Sequence, residues 1–334
     1  MSAIKGNIVN NERVDLGKVL PLQSPFAVCI DPSNVCNFKC SFCAIQTDPR
    51  PVKFKKMFMT FDLFKKIVDD ISGMPNPLKI LRLNGMGEPL LNPYFCDMVK
   101  YAKEKKIAPY IETITNGSKF CPNFNDKIVN SGIDRIRISI ESINSEGYFE
   151  ICKAKIDFDL FLNNIKDLHE KAKKKGIEVY IKTVDVAVET EEKKKLFYEM
   201  FSPVCDRIFI DGVAPLWSDF KIEEFRERKN GMHGQKLNFI KVCPYPFYSL
   251  IINPDGEVTA CCADWKRRLV LGDLKKESFK DIWNGSKFKM FLVDLLDGKK
   301  EKYEMCRNCL LPYYDCNDNI DNSADDIRTR ILSL

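Results

Sequence analysis

Residues 36 to 43 read CNFKCSFC, three cysteines within eight positions, with Phe42 directly before the last. Thiolates are strong ligands for soft metals, so such a group points first to a metal centre. A closed structural zinc or a fully ligated iron–sulfur cluster needs four ligands. The next cysteine after Cys43 is Cys96, and the only histidines are His169 and His233. Three ligands with no local fourth suit a metal site kept open. A second group lies toward the C-terminus: Cys243, Cys261, Cys262, Cys306, Cys309 and Cys316. Cys29, Cys96, Cys121, Cys152 and Cys205 stand singly and read as small buried hydrophobes.

The chain has 334 residues, 45% hydrophobic and 30% charged, enough for one large α/β domain and a smaller one. Its net charge is +5. The lysine runs KEKK (103–106) and KAKKKG (171–176) fall where predicted helices end. They suit solvated helix ends that complement the helix dipole better than a nucleic-acid footprint. No run of 18 apolar residues exists, and the N-terminal MSAIKGNIVNNERVDLGKVL lacks the apolar centre of a signal peptide. These features predict a cytoplasmic protein with neither a membrane nor a nucleic-acid partner. Fourteen cysteines in a reducing compartment then argue for metal binding over disulfides.

Such groups need a scaffold. FAVCID (26–31), LKILRLN (78–84), APYIETIT (108–115), DRIRISIES (134–142), IEVYIKTVDV (177–186) and DRIFID (206–211) read as strands. Helices are predicted over 61–71, 93–106, near 124–131, over 158–176 with Gly176 as its cap, and around 191–201. The strands read as β-branched and continuous, hence buried on both faces, as in a parallel sheet covered by helices. The fold class is α/β, a six-stranded parallel sheet and an incomplete barrel, with functional groups at the C-terminal strand ends. After about residue 215 the alternation stops. WSDFKIEEFRERKNGMHGQK reads as a connector, FYSLIINPDGEVTACC as a hairpin turning at NPDG, and SFKDIWNGSKFKMFLVDLLDGK as helix interrupted at NGS. The predicted organisation is an N-terminal arm (1–25), a barrel (26–215), a connector (216–242), a cysteine-rich unit (243–316) and a tail (317–334).

Three thiolates can hold three irons of a [4Fe–4S] cube and leave the fourth free. CNFKCSFC resembles the C-x3-C-x-aromatic-C motif of radical S-adenosylmethionine (radical SAM) enzymes, and it follows the first strand, as in that family. GMGEPLLNP (85–93), after the second strand, resembles the family's Gly-Gly-Glu-Pro segment. Gly87, Glu88 and Pro89 match, and Met86 replaces the first glycine. An ammonium group wants carbonyls and a carboxylate, and glycine lets backbone approach. Taken alone, the stretch also reads as a plain strand-to-helix turn. ITNGS (114–118) and RISIES (137–142) resemble motifs ending the family's third and fourth strands.

The resemblance covers roughly 26 to 215 and implies a partial (β/α)6 barrel. It implies that Gly87, Glu88, Asn116, Ser139 and Glu141 contact S-adenosylmethionine. Many relatives carry an arginine for the methionine carboxylate where this chain reads YFEICKAK (148–155). Lys153 could replace it as a point charge, or stand solvated at a helix start. By resemblance, the open iron chelates the amino and carboxylate groups of S-adenosylmethionine. An electron, delivered by a donor such as flavodoxin or ferredoxin, then breaks the sulfonium bond. The products are methionine and a 5′-deoxyadenosyl radical that abstracts hydrogen from a substrate.

Cys243, Cys261, Cys306 and Cys309 are spaced C-x17-C-x44-C-x2-C. They resemble the auxiliary-cluster domains, SPASM or the shorter twitch, of many radical SAM enzymes, and the spacing looks like that of an aminocyclitol dehydrogenase. One auxiliary [4Fe–4S] cluster with four cysteine ligands follows. A four-cysteine structural zinc is the alternative. Neighbouring strand residues face opposite ways, so Cys262 reads as packing, or as a group near the substrate. The leading function is dehydrogenation of a small polar molecule, a sugar or aminocyclitol. Peptide or protein modification and sugar epimerisation are the alternatives, and a non-catalytic iron–sulfur or zinc protein is the third class. Asp211, Trp217 and Asp219 follow the last barrel strand and could line the pocket.

Overall fold

Ten strands form one sheet in the computed structural model, which describes residues 3–6, 14–47, 52, 54–214, 230–237, 239–315 and 318–333. The strands are β1 (Ile4–Lys5), β2 (Ala27–Ile30), β3 (Ile80–Leu83), β4 (Ile111–Thr115), β5 (Arg135–Ser139), β6 (Glu178–Val184), β7 (Arg207–Asp211), β8 (Ser249–Ile252), β9 (Glu257–Thr259) and β10 (Val270–Asp273). The helices of the barrel half are α1 (Leu16–Val19), α2 (Ala44–Thr47), α3 (Phe61–Ser72), α4 (Phe95–Glu104), α5 (Pro122–Val129), α6 (Ser145–Cys152), α7 (Phe158–Lys174) and α8 (Glu191–Phe201). The C-terminal half adds α9 (Phe279–Trp283), α10 (Ser286–Leu296), α11 (Glu304–Arg307), α12 (Leu311–Tyr314) and α13 (Ala324–Leu332).

The sheet order is β1-β7-β6-β5-β4-β3-β2-β8-β9-β10. Strands β2 to β7 are the six predicted from the sequence, parallel and in sequential order. Three of the helices between them, α3, α7 and α8, start on a Thr or Asp side-chain cap. Thr60 accepts from the Leu63 amide, Asp157 from Leu160 and Thr190 from Lys193, each cap worth about 1 kcal/mol. Phe64, Ile67, Val68 and Ile71 of α3, and Phe161, Ile165, Leu168 and Ala172 of α7, join Leu81, Leu83, Ile136, Ile138, Val179 and Ile181 of the strands in one core. Burying a side chain of this size stabilises by roughly 1.5–3 kcal/mol.

The opposite strand face departs from the expectation. β3 and β5 alternate buried with half-buried residues instead of being buried throughout. Arg82 sits on a central strand, yet its side chain is 41% exposed. The concave face is therefore polar and open. An ion-pair belt runs along it from strand to strand. Arg82 Nε binds Glu112 at 2.8 Å, and Glu112 binds Arg135 at 3.0 Å. Arg135 binds Glu178 at 2.5 Å, and Glu178 binds Arg207 at 2.7 Å.

The C-terminal half continues the sheet. β8 pairs in parallel with β2, and β9 pairs antiparallel with β8. The hairpin turns at the predicted NPDG, where Gly256 has φ +90°, a value that favours glycine. The helix break at Asn284-Gly285 also falls as predicted, between α9 and α10. The final stretch carries α13, whose Ile327 and Ile331 are buried. Arg330 of α13 donates to the carbonyls of Gly17 and Lys18, so the two ends of the chain pack together.

Candidate active site

The loop after β2 carries the first cysteine group, and three strand ends hold it. Asp31, buried, accepts from the amides of Ser33 at 3.1 Å and Met86 at 2.9 Å. The Glu88 amide donates to the Val35 carbonyl at 2.9 Å. Between these bonds Gly87 lies flat on the loop, and a Cβ there would meet the Ser33 carbonyl and the Val35 backbone. Glycine is the one residue that permits this approach. The buried Glu88 carboxylate accepts from Thr115 Oγ1 (2.6 Å), the Asn116 amide (2.7 Å) and the Leu90 amide (3.0 Å). Burial pushes its pKa up to about 7, while those donors pull the other way. Asn116 Nδ2 donates to Asn37 Oδ1 at 2.9 Å, and Asn37 Nδ2 donates to Ser118 Oγ at 2.8 Å. The GEP motif thus grips the loop just before Cys36, and the TNG motif grips it at Asn37, between Cys36 and Cys40.

The other side of the loop rests on α6, a helix the sequence reading did not identify. The amides of Lys39 and Ser41 donate to the carbonyls of Cys152 (2.8 Å) and Ile151 (2.9 Å) at its C-terminus. Cys152, read as a buried hydrophobe, is buried, but its sulfur lies 3.5 Å from Cys40 Sγ. Phe38 packs edge-on to Tyr148 at 6.0 Å, fixing the loop's depth.

Glu141, buried beyond the end of β5, has its pKa pushed up to about 7 by burial. It lies within electrostatic reach of Cys40 and of Lys182. Ser139 pairs in register with Lys182. Gly87, Glu88 and Asn116 therefore touch one loop, Glu141 lies near its Cys40, and Ser139 of β5 stands beside Lys182. Lys153 stands apart: it caps α6 with φ +54°, is exposed, and its ammonium donates to the Glu150 carbonyl of its own helix at 3.1 Å. Lys182 is the cation that the fold brings beside Ser139 and Glu141. Its place two residues after inward-facing Tyr180 is the signal that would have found it.

Four cysteines of the second group, Cys243, Cys261, Cys306 and Cys309, lie on three chain segments. Cys243 precedes β8, where the amides of Lys241 and Val242 are held by the Asp321 carboxylate. Cys261 follows β9, Cys306 lies in α11, and Cys309 follows it. Among the described residues no three ligating groups converge on a single point, so the fit to a cluster rests on the chemistry of the donors. Burial pushes the Cys36 and Cys306 thiols up to about 12, and Cys309 up to about 11. Thiolates at such depth demand a strong cation, which cluster iron supplies. Cys36, Cys40 and Cys43 sense one another electrostatically, as do Cys261, Cys243 and Cys309. Amides already point at the sulfurs: Phe38 to Cys36 at 3.4 Å, Ala263 to Cys261 at 3.3 Å, and Leu311 to Cys309 at 3.5 Å. Amide donors to sulfur tune and stabilise ligated clusters. Both sets fit iron–sulfur clusters.

The radical SAM superfamily profile matches residues 30–200. The chain belongs to the radical SAM superfamily. A profile for the SPASM iron–sulfur cluster-binding domain matches residues 243–310. The chain is 24% identical over 312 residues to the tungsten-containing aldehyde ferredoxin oxidoreductase cofactor-modifying protein of Pyrococcus furiosus, covering 83% of this chain and 85% of that protein. It is 30% identical over 67 residues, 20% of this chain and 27% of the other, to the S-adenosyl-L-methionine-dependent 2-deoxy-scyllo-inosamine dehydrogenase of Niallia circulans. BtrN in complex with AdoMet and 2-DOIA has the same fold, with TM-score 0.55 and 16% identity over 88% of this chain and 94% of that chain. Streptococcus suis SuiB bound to precursor peptide SuiA superposes with TM-score 0.61 and 15% identity over 81% of this chain and 67% of that chain.

This radical SAM enzyme is thus a partial (β/α)6 barrel with a C-terminal iron–sulfur domain. Its cofactors are a [4Fe–4S] cluster, S-adenosylmethionine and auxiliary iron–sulfur. No helix among the described residues is long and apolar enough to cross a membrane. Cys262 is exposed to solvent, so the expectation that it packs in the core does not hold. It lies within electrostatic reach of Arg82 and Asp315. Trp217, Asp219 and Cys316 lie outside the described residues.

Asp211, at the end of β7, joins a contact the sequence did not reveal. Its carboxylate binds His233 Nδ1 at 2.8 Å, and His233 Nε2 binds Asp315 at 2.7 Å. Asp315 also accepts from Tyr245 OH at 2.6 Å. The barrel rim is thereby tied to the cluster domain. Burial works to lower the His233 pKa, but hydrogen bonds to Asp211 and Asp315 raise it to about 9. The stability from this charge is fully present below about pH 6.5 and is lost as pH rises through about 9. His233→Gln should therefore cost on the order of 2 kcal/mol at pH 7, shrinking toward pH 10. Thermal melts of both proteins across pH 6 to 10 test this. Curves that stay parallel would remove the charged bridge from the account.

Proposed function

We propose that this radical SAM enzyme dehydrogenates a small polar substrate, a sugar or aminocyclitol, by two electrons. In this reading Cys36, Cys40 and Cys43 hold the cluster of the barrel. When bound, that cluster and S-adenosylmethionine supply a radical able to take hydrogen from an unactivated C–H bond. Gly87 brings backbone carbonyls to the methionine end, and Glu88 holds the TNG turn so that Asn116 faces the loop. Ser139 and Glu141 line the cofactor from β5. Lys182 is better placed than Lys153 for the methionine carboxylate. Cys243, Cys261, Cys306 and Cys309 hold the auxiliary cluster as the sink for the second electron. A flavodoxin- or ferredoxin-class donor and a cytoplasmic setting complete the proposal.

The observation that carries the reading is the concave sheet face. Arg82, Arg137, Ser139, Lys182 and Asp211 line it, a polar enclosure that suits a small hydrophilic molecule and not an apolar one. A related reading is that the small molecule is itself an enzyme cofactor. Similarity over 83% of the chain to a cofactor-modifying protein favours it.

Incubation with candidate substrates deuterated at the reacting carbon tests the reaction type. Dehydrogenation consumes one S-adenosylmethionine per turnover, moves deuterium into 5′-deoxyadenosine, and gives an unlabelled product two mass units lighter than the unlabelled substrate. A product at the substrate's oxidation level, one unit heavier when made in D2O, would replace dehydrogenation with epimerisation. Turnover of a peptide alone would move the assignment to peptide modification.

A further inference from the structure

The charges of the barrel lumen are out of balance below its rim. The belt places Arg82, Arg135 and Arg207 against Glu112 and Glu178. Arg137 adds a fourth cation on the same face, two residues below Ser139. It lies against the Tyr180 ring, 5.0 Å from guanidinium carbon to centroid. Among the described residues Arg137 forms no ion pair, and its Nε is buried with no hydrogen-bond partner. Its guanidinium bonds Tyr180 and lies within electrostatic reach of Glu112 and Asp211, which are themselves paired with Arg82, Arg135, Lys182 and His233. Arg82 commits Nε to Glu112 and stays 41% exposed. At the rim the balance is different. Lys182 pairs with Asp211 at 3.5 Å, and His233 is matched by Asp211 and Asp315. Among the described residues, four arginines thus face two carboxylates in the lower lumen. A cation removed from bulk water is costly unless it is paired.

Two guanidinium groups on one concave wall recognise a planar or tetrahedral oxyanion through paired N–H donors. The auxiliary domain adjoins the same wall, since β8 pairs with β2, the neighbour of β3. We propose that Arg82 and Arg137 form an oxyanion subsite, so that the substrate carries a phosphate or carboxylate that docks in the lower lumen. The inference rests on the reading of a small polar substrate held in the barrel, and it narrows that class to anions. The cofactor's own carboxylate is the competing occupant. It is assigned to the rim, because Ser139, Glu141 and Lys182 stand there and Arg137 lies one inward-facing position deeper on β5, roughly 6–7 Å along the strand.

Inorganic phosphate, titrated into the anaerobically reconstituted enzyme at constant ionic strength with chloride as the balancing anion, tests the subsite by thermal shift and calorimetry. Saturable binding is expected in the wild type. Arg137→Gln and Arg82→Gln should each weaken it at least tenfold, with Arg137→Lys recovering part of the loss. Equilibrium dialysis of S-adenosylmethionine on the same proteins should change less than twofold. Phosphate acting no differently from chloride on the wild type would overturn the proposal, whatever the variants do. So would a parallel tenfold loss of S-adenosylmethionine affinity, which would give the pair to the cofactor. Uncoupled cleavage of S-adenosylmethionine, measured on each preparation, reports separately on the radical SAM reading. Cleavage without phosphate binding would refute the subsite alone.

Discussion

Replacing Cys36, Cys40 and Cys43 together with alanine should abolish reductive cleavage of S-adenosylmethionine while leaving the C-terminal cluster in place. Each of the three thiolates proposed as iron ligands is one the loop cannot replace. Asp31 and Glu88 are occupied by backbone amides and a hydroxyl, and Cys152 alone is too few thiols for a cube. The second set comes from other segments, around β8, β9 and α11, so its assembly does not depend on the first loop. Iron should fall from about eight to about four per chain, on the basis of two four-iron clusters. Iron and sulfide analysis after anaerobic reconstitution, with 5′-deoxyadenosine quantified by chromatography, decides the matter. Cleavage persisting in the triple variant would sink the assignment of these three ligands. About four irons plus stoichiometric zinc in the wild type would turn the C-terminal set into a structural zinc site.

The second large effect is expected from a single methyl group. Gly87→Ala should remove most of the iron of the N-terminal site, with cleavage of S-adenosylmethionine falling at least a hundredfold. The added Cβ would stand 2.5 Å from the Val35 carbonyl oxygen and 2.7 Å from its nitrogen, and closer still to the Ser33 carbonyl. All three are backbone atoms of the loop leading into Cys36, so no side chain can swing away to make room. The loop must shift, breaking the Glu88–Val35 bond, at a cost of roughly 1–3 kcal/mol. Gly73→Ala is the control: its nearest neighbour is the Asp70 carbonyl at 3.4 Å, and it should load iron normally. A Gly87→Ala protein with full iron and wild-type cleavage would show that the motif does not shape the cluster loop.

Much of this was legible in the sequence because it depends on local rules. The six barrel strands, five of their covering helices, the NPDG hairpin and the NGS helix break follow from periodicity, caps and turn residues. The two cysteine groups follow from ligand spacing. The family follows from four motifs in order, and the superfamily and SPASM profiles bear it out. Helix α6 was missed because SEGYFEIC is short and weakly patterned, and its fit against the cluster loop is made by carbonyls, which leave no mark on residue identity.

What the tertiary structure alone decided concerns pairs distant along the chain. RIRIS was read as a continuous buried run, but Arg135 and Arg137 point into an open lumen while Ile136 and Ile138 face the helices. Periodicity tells that two faces differ; only sheet curvature and the covering helices tell which face is wet. Glu88 gripping Asn116, and His233 bridging Asp211 to Asp315, span 28, 22 and 82 residues. The parallel pairing of β8 with β2, which joins the cluster domain to the barrel edge, spans still more chain. Hydrogen bonds and ion pairs of this kind form between groups that share a place in space and no pattern in sequence. One chain therefore determined the chemistry it could hold, and folding determined which groups would meet to perform it.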